Sequence, residues 1–406
     1  MKKIFPYTLL LILFTQNIFS QKDTLIKRLP QDTGNLILNQ DAIYSRPFIA
    51  LGKTSTAVGG YLEGNTNYFA TNGISEGFSM ELRRFNIFLY STIAKRIKFL
   101  SELEFEHGTE EISLETAQID LEINPACNFR AGIMLAPIGA FNQNHDSPKW
   151  EFIERPLVAT QIIPSTLSEV GFGFHGKFYG HNKVLSYEAY LVNGLRDGII
   201  ENTDGRTFLQ AGKNPEMFGE DNNGIPMVTG KIAFKQRKIA EFGLSYYGGI
   251  YNTFKMGGIL VDTKRNLSIY AFDFNTIIFK KAVINSELAY VNVNVPVSAG
   301  QFFGKKQMGT YAEVVYPVFK RKILGYENTT LNVNLRGEYI DYNIGSFKET
   351  GKNINDEITA IVPGISIRPS KQTVIRFNYR YHWETDLLGN PSVRTAGFQF
   401  GFATYF

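Results

Sequence analysis

From about residue 58 to the last residue, this chain alternates apolar and polar side chains with a period of two. In Arg96–Gly108, Ile97, Phe99, Leu103 and Phe105 oppose Lys98, Glu102, Glu104 and Glu106. In 373–384, Ile375, Phe377, Tyr379, Tyr381 and Trp383 oppose Arg376, Asn378, Arg380 and His382. Successive side chains of a strand point to opposite faces, so this period predicts strands with one apolar face, and a 3.6-residue stripe does not fit. The chain ends TAGFQFGFATYF, with Phe398, Phe400, Phe402 and Phe406 on alternate positions broken only by Thr404. In water that strand would be an aggregation-prone edge. It is tolerable where an apolar medium meets the Phe side and other strands pair its backbone.

The template recurs sixteen times, starting near Val58, Phe78, Ile97, Ser113, Phe129, Val170, Val184, Met227, Ala240, Asn266, Ala282, Met308, Thr330, Thr359, Thr373 and Thr395. One set of connections is short: AKRIK, NPACN, GHNK, KQRK, KK and PSKQ, with FKRKILGYEN somewhat longer. The other set is mostly long: Ala136–Glu169, Asn193–Pro226, Gly248–Arg265, Asn292–Gln307, Tyr342–Asp356 and Glu384–Arg394. An even strand count with short turns on one side and long loops on the other is the signature of a bacterial outer-membrane barrel. In lipid every backbone N–H and C=O must be paired within the protein, so the strands must close into a ring. The expected fold is all-β: a transmembrane antiparallel β-barrel of about sixteen strands. A soluble sandwich or propeller would need both sheet faces packed, whereas here the second face carries charge on strand after strand.

Composition agrees. Mean hydropathy is −0.13 with 14% aromatic residues, which disfavours a helical membrane bundle and suits strands. The net charge of +4 falls to +2 without Lys2 and Lys3, too little to imply a nucleic-acid partner. The lone Cys127 excludes an internal disulfide and a thiol metal cluster. Lys2, Lys3, an apolar run over Ile4–Phe14 and Ser20 read as a secretory signal peptide over residues 1–20. Residues 21–56 read as a periplasmic lead-in and 57–406 as the barrel, placed in the outer membrane of a Gram-negative cell.

A sixteen-strand ring leaves a lumen, so function depends on what narrows it. The third long loop, Ala136–Glu169, carries apolar anchors, among them Phe141, Trp150, Phe152, Ile153 and Leu157. It is expected to fold into the barrel and bring Lys149, Glu151, Glu154 and Arg155 to a constriction; an external cap is the other possibility. The inner faces of the last strands offer Arg336, Arg368, Arg376 and Arg380, which closure brings near Arg84. The third and fourth strands offer Glu102, Glu104, Glu106, Asp120 and Glu122. Opposed walls create a transverse field on solutes, while cross-strand ion pairing would explain any single pair more simply. Arg376 and Arg380 are both expected to face water.

The five histidines are scattered without metal-ligand spacing, and no Ser completes a triad with the adjacent His145 and Asp146. The expectation is therefore a non-enzyme without cofactor or metal: a channel for small hydrophilic or anionic solutes, surrounded by outer-membrane lipid. The alternative is a receptor or adhesin barrel binding through its long loops.

The stretch RAGIMLAPIGAFNQNHDSPKWEFIERPLV resembles phosphate-selective porin O/P-type proteins, at Gly132, Pro137, Gly139, Phe152, Glu154, Arg155, Leu157 and Val158. The pair Arg83–Arg84 and the strand end YEAYLVNG resemble the same family. That resemblance implies a sixteen-stranded, homotrimeric porin.

Overall fold

A computed structural model describes residues 39–51, 55–236 and 239–406. The signal peptide and the first part of the lead-in lie outside the described residues.

Sixteen antiparallel strands close into a barrel in which chain neighbours pair and the last strand returns to the first. The first nine are β1 (Thr56–Thr71), β2 (Ile74–Ala94), β3 (Ile97–Glu106), β4 (Glu111–Asn124), β5 (Cys127–Leu135), β6 (Ser168–Gly180), β7 (Lys183–Val192), β8 (Met227–Gln236) and β9 (Ala240–Ile250). A small hairpin, β10 (Lys255–Met256) with β11 (Ile259–Leu260), stands in the following loop. The barrel resumes with β12 (Asn266–Ile278), β13 (Ala282–Val293), β14 (Lys306–Ile323), β15 (Tyr326–Asp341), β16 (Glu357–Arg368), β17 (Thr373–Thr385) and β18 (Val393–Tyr405). Closure runs through eleven β1–β18 pairs, from Tyr61 opposite Tyr405 to Thr71 opposite Thr395.

The final strand shows why the alternation matters. Phe398, Phe400, Phe402 and Phe406 are 40–57% exposed on the outer surface, while Gln399 and Ala403 are buried inside. The outer faces of the other strands are similarly apolar, with Phe172, Phe174, Ile232, Leu244, Leu335 and Ile365 exposed. Such a surface is stable against hydrocarbon and unstable against water.

The inner face departs from the uniformly polar wall expected. On β8, β9, β12 and β13, toward the long loops, it is Met227, Tyr247, Leu267, Ile269, Ala289 and Val291, all fully buried. They pack on Val158, Ile162, Ile163, Leu195, Ile199 and Leu209 from the loops 136–167 and 193–226. One side of the lumen is thus a hydrophobic core, and polar side chains keep the other.

The 193–226 loop is anchored by its apolar residues, whereas the β10–β11 hairpin exposes Met256, Ile259 and Leu260. Protease added to intact cells is expected to cut first near Lys255 or Lys264 and to spare the turn at Lys95. Cleavage confined to the short turns, read by mass spectrometry of the fragments, would invert the orientation.

Candidate functional site

The loop between β5 and β6 crosses the lumen and touches most of the inner wall on its way. Its neck is tied by Asn142, whose Nδ2 donates to the Ala136 and Leu167 carbonyls at 2.8 and 3.0 Å and whose Oδ1 accepts from the Leu167 amide at 2.7 Å. The chain then meets β13. The Ala140 and Phe141 amides donate to Glu287 Oε2 at 2.6 and 3.0 Å, and Lys231 Nζ donates to the Gly139 carbonyl at 2.8 Å. Gly139 has φ +64°, and a Cβ there would stand 2.5 Å from the Glu287 carboxylate, so glycine permits both the turn and the approach. Farther on, Phe152 packs with Val315 and Val362, and the tight turn over Val158–Ile162 rests on Gly309, where a Cβ would meet Val158 at 2.8 Å. The loop is a brace across the barrel, as expected of a constriction, and it is fastened by backbone groups as well as by charges.

At its centre is a buried latch that closes onto the segment before the barrel. A 3-10 turn over Asn39–Tyr44 and the short helix α1 (Pro47–Leu51) pack on the inner wall. Between them, Arg46 is fully buried. Its Nε and Nη2 donate to Asp146 at 3.0 and 2.9 Å, its Nη2 also donates to Glu102 Oε2 at 2.6 Å, and its guanidinium lies 3.6 Å from the Phe88 ring centre. Tyr405 Oη donates to Asp146 at 2.7 Å, Lys149 Nζ donates to the Ala42 carbonyl at 3.0 Å, and Tyr44 donates to Asp120. Strap, loop, β3 and β18 therefore share one ion cluster. Glu102, His145 and Asp146 are close enough to suggest a metal centre, but Arg46 already bridges both carboxylates and supplies the positive charge.

His145 completes the cluster, with Nδ1 3.1 Å from the Asn142 carbonyl and Nε2 3.3 Å from Glu102 Oε1. Both neighbours are acceptors, so the doubly protonated ring satisfies them best. Burial alone would lower its pKa, but Glu102 and Asp146 outweigh burial and raise it. A raised pKa stabilises fully below the ordinary histidine value and is lost as pH rises through the raised one. The hold of the latch is therefore expected to weaken as pH rises through that raised value, read as a pH-dependent loss of stability, and His145→Gln is expected to remove the dependence. Identical pH profiles for both proteins would contradict the role of His145.

Above the brace, on the long-loop side, opens a vestibule of about 1010 Å³. Of the residues proposed from sequence, Arg84, Glu104, Glu106, Glu154, Arg155 and Arg380 line it. Arg83, next to Arg84, holds Glu154 through two hydrogen bonds of 2.7 Å. Burial would raise the Glu154 pKa, but this pair drives it far below the usual carboxylate range. Both arginines face inward because β2 carries a bulge: Glu63 pairs with Arg84 and Gly64 with Leu82, leaving Arg83 unpaired in the ladder. Glu106 pairs with Arg84, and Lys213, Arg206 and His382 also reach the vestibule. Buried donors with no hydrogen-bond partner, Arg155 Nη2 and Arg380 Nη1, belong to this lining.

The remaining proposed residues lie below the floor. Arg376 does not face water: it is 1% exposed, with Nη2 donating to Glu63 Oε1 and Ser147 Oγ at 3.0 Å and Nη1 to the Phe152 carbonyl at 2.9 Å. Arg336 is buried between Glu313 and the Phe152 ring, and its Nη1 donates to the Glu154 carbonyl. Arg368 pairs with Glu151, while Glu102 and Lys149 belong to the latch. Asp120 is buried against Arg130, and Glu122 pairs with Lys98. Loop carbonyls and carboxylates need donors at this depth, so these arginines fasten the brace to the wall. A gap bounded by Glu63, Phe141, His145, Trp150 and Arg376 has about 10 Å³ of free volume, roughly room for one water.

The closed sixteen-stranded barrel, with its third loop folded inward beneath a vestibule rich in charged side chains, shares its fold with solved outer-membrane porins. No protein-family profile matches the chain. An uncharacterized protein of Aquifex aeolicus is 26% identical over 376 residues, spanning 86% of this chain and 83% of that protein. Among solved structures, the outer membrane channel DcaP of Acinetobacter baumannii covers 87% of this chain and 99% of its own, with TM-score 0.55 and 11% identity. An anion-selective porin from Comamonas acidovorans covers the same fractions, with TM-score 0.54 and 12% identity. OmpF of Salmonella typhi covers 87% of this chain and 98% of its own, with TM-score 0.54 and 8% identity. At these identities the likeness is one of fold.

Proposed function

We propose that the chain is an outer-membrane porin passing small hydrophilic solutes by passive diffusion, with a modest preference for anions. The observation that carries the reading is the vestibule: an open mouth of about 1010 Å³ in a barrel with an apolar outer face, floored by a loop that holds Glu154 and Arg155 at its edge. Arg155 and Arg380 each keep a buried nitrogen without a hydrogen bond there, Arg155 Nη2 standing 4.0 Å from Glu104 Oε2, and Lys213 adds an ammonium. Glu104, Glu106, Glu111 and Glu115 stand on the facing wall and temper the preference. The resemblance to phosphate-selective porins falls on the loop residues that form this floor, which makes phosphate a solute to test. A signal peptide over 1–20, a lead-in over 21–56 whose described part, 39–51, packs inside the barrel, and a homotrimer belong to the same reading.

Passage by way of the gap beneath the floor requires the floor to move, because that gap has room for roughly one water. That same observation favours a second reading, in which the floor is static and the long loops bind a partner. Single-channel recording in planar bilayers separates the two: stepwise conductance supports the porin, and a folded, inserted, silent barrel supports the receptor.

A further inference from the structure

We infer that the short-turn rim of the barrel docks the anionic headgroups of phospholipids in the leaflet it faces. Arg96 between β2 and β3, Lys183 at the start of β7, Lys280 and Lys281 between β12 and β13, and Lys371 before β17 are all exposed. None of the described turn residues is Asp or Glu, and nearby Glu327 pairs with Lys322. At the opposite end Glu110, Glu201, Asp204, Glu216 and Glu220 are exposed among the basic side chains. Asp41 and Glu122 near this rim are likewise paired, with Lys177 and Lys98, so its turns carry a net excess of positive charge, which attracts a negatively charged leaflet.

A second observation selects lipid over a free anion. Phe279 and Lys280 form the centre of the β12–β13 turn, with φ of 50° and 60°. Elsewhere, turns with two consecutive positive φ values place glycine second: Asn72–Gly73, His107–Gly108 and Leu324–Gly325. A bulky residue in this region is strained, and Asn-Gly is the favoured pair. Phe279 is also 86% exposed, so contacts with the barrel do little to offset the strain. Its ring is stabilised only if something apolar receives it. The adjacent turn sets Ile239, 55% exposed, beside it: the Ile239 carbonyl accepts from Thr276 Oγ1 at 2.8 Å and from the Ile277 amide at 3.2 Å. Two apolar tips with Lys280 and Lys281 next to them match the boundary between acyl chain and phosphate. A free anion would engage the lysines and leave Phe279 unexplained.

The test is native mass spectrometry of the full chain after incubation with equal amounts of phosphatidylglycerol and phosphatidylcholine. The unaltered protein is expected to retain phosphatidylglycerol about fivefold over phosphatidylcholine, a discrimination in reach of a few interfacial cations. The triple variant Phe279→Asn, Lys280→Gln, Lys281→Gln is expected to lose most of that preference. Asn suits the turn, and heat-modifiable gel mobility confirms the fold. Lys255→Gln with Lys264→Gln, on the long-loop side, is expected to keep the preference. No preference in the unaltered protein, no loss in the triple variant, or equal loss in the loop variant would overturn the proposal.

Discussion

Replacing Arg46 with alanine is expected to raise single-channel conductance and make it noisier. Arg46 is fully buried and carries the positive charge between Asp146 and Glu102. Removing one member of a buried pair strands the others and costs about 3–5 kcal/mol. The barrel backbone does not depend on this pair, because its hydrogen bonds run between strands. The strain is relieved where the structure yields most easily: the strap at 39–51 leaves the wall and the loop at 142–149 loosens. Arg46→Lys keeps the charge but not the fork, and is expected to fall between the two proteins. Conductance equal to that of the unaltered chain, with the barrel folded, would show that the latch does not control the path.

The second large effect is at the lipid surface. Phe400 lies midway along β18 and is 49% exposed among neighbouring Phe side chains. Phe400→Arg is expected to cost about 2–4 kcal/mol near the bilayer midplane, measured by reversible unfolding in lipid vesicles. The adjacent Gln399 is a poor inward control, because it is 1% exposed and its Nε2 donates to Glu154 Oε1 at 2.8 Å. Thr395, which lines the vestibule on the same strand, serves instead, and Thr395→Arg is expected to cost far less. Equal costs at Phe400 and Thr395 would mean that the Phe row does not meet lipid.

Much of the barrel was legible because a strand in lipid must write its period into every second residue. All sixteen proposed starts lie within four residues of an observed one; Ile97, Met227, Ala240, Asn266, Ala282 and Thr373 coincide. The inward turn of the third loop was legible from Phe141, Trp150 and Phe152, which are buried. What an arginine does at the inner face was not. Period two places Arg376 and Arg380 on the same side, yet one lies beneath the brace and the other lines the vestibule, because the height of the loop decides. Arg83 escaped the site set because a bulge breaks the period that sorted the other residues. Arg46 was missed because 21–56 lacks a sustained period. The cluster Ile43, Tyr44 and Phe48 around it is the signal that could have marked a packed segment. The apolar inner wall at Leu267 and Ile269 was unreadable for another reason: apolar residues on a barrel strand do not reveal which loops will cover them.

On the proposed reading, this barrel conducts through a mouth whose floor is the 136–167 loop. The most direct measurement is single-channel recording of the unaltered chain in a planar bilayer with asymmetric potassium chloride. Discrete conductance steps, with a reversal potential displaced modestly toward the anion value, are the predicted result. A folded barrel that inserts and gives no steps at any voltage would contradict it.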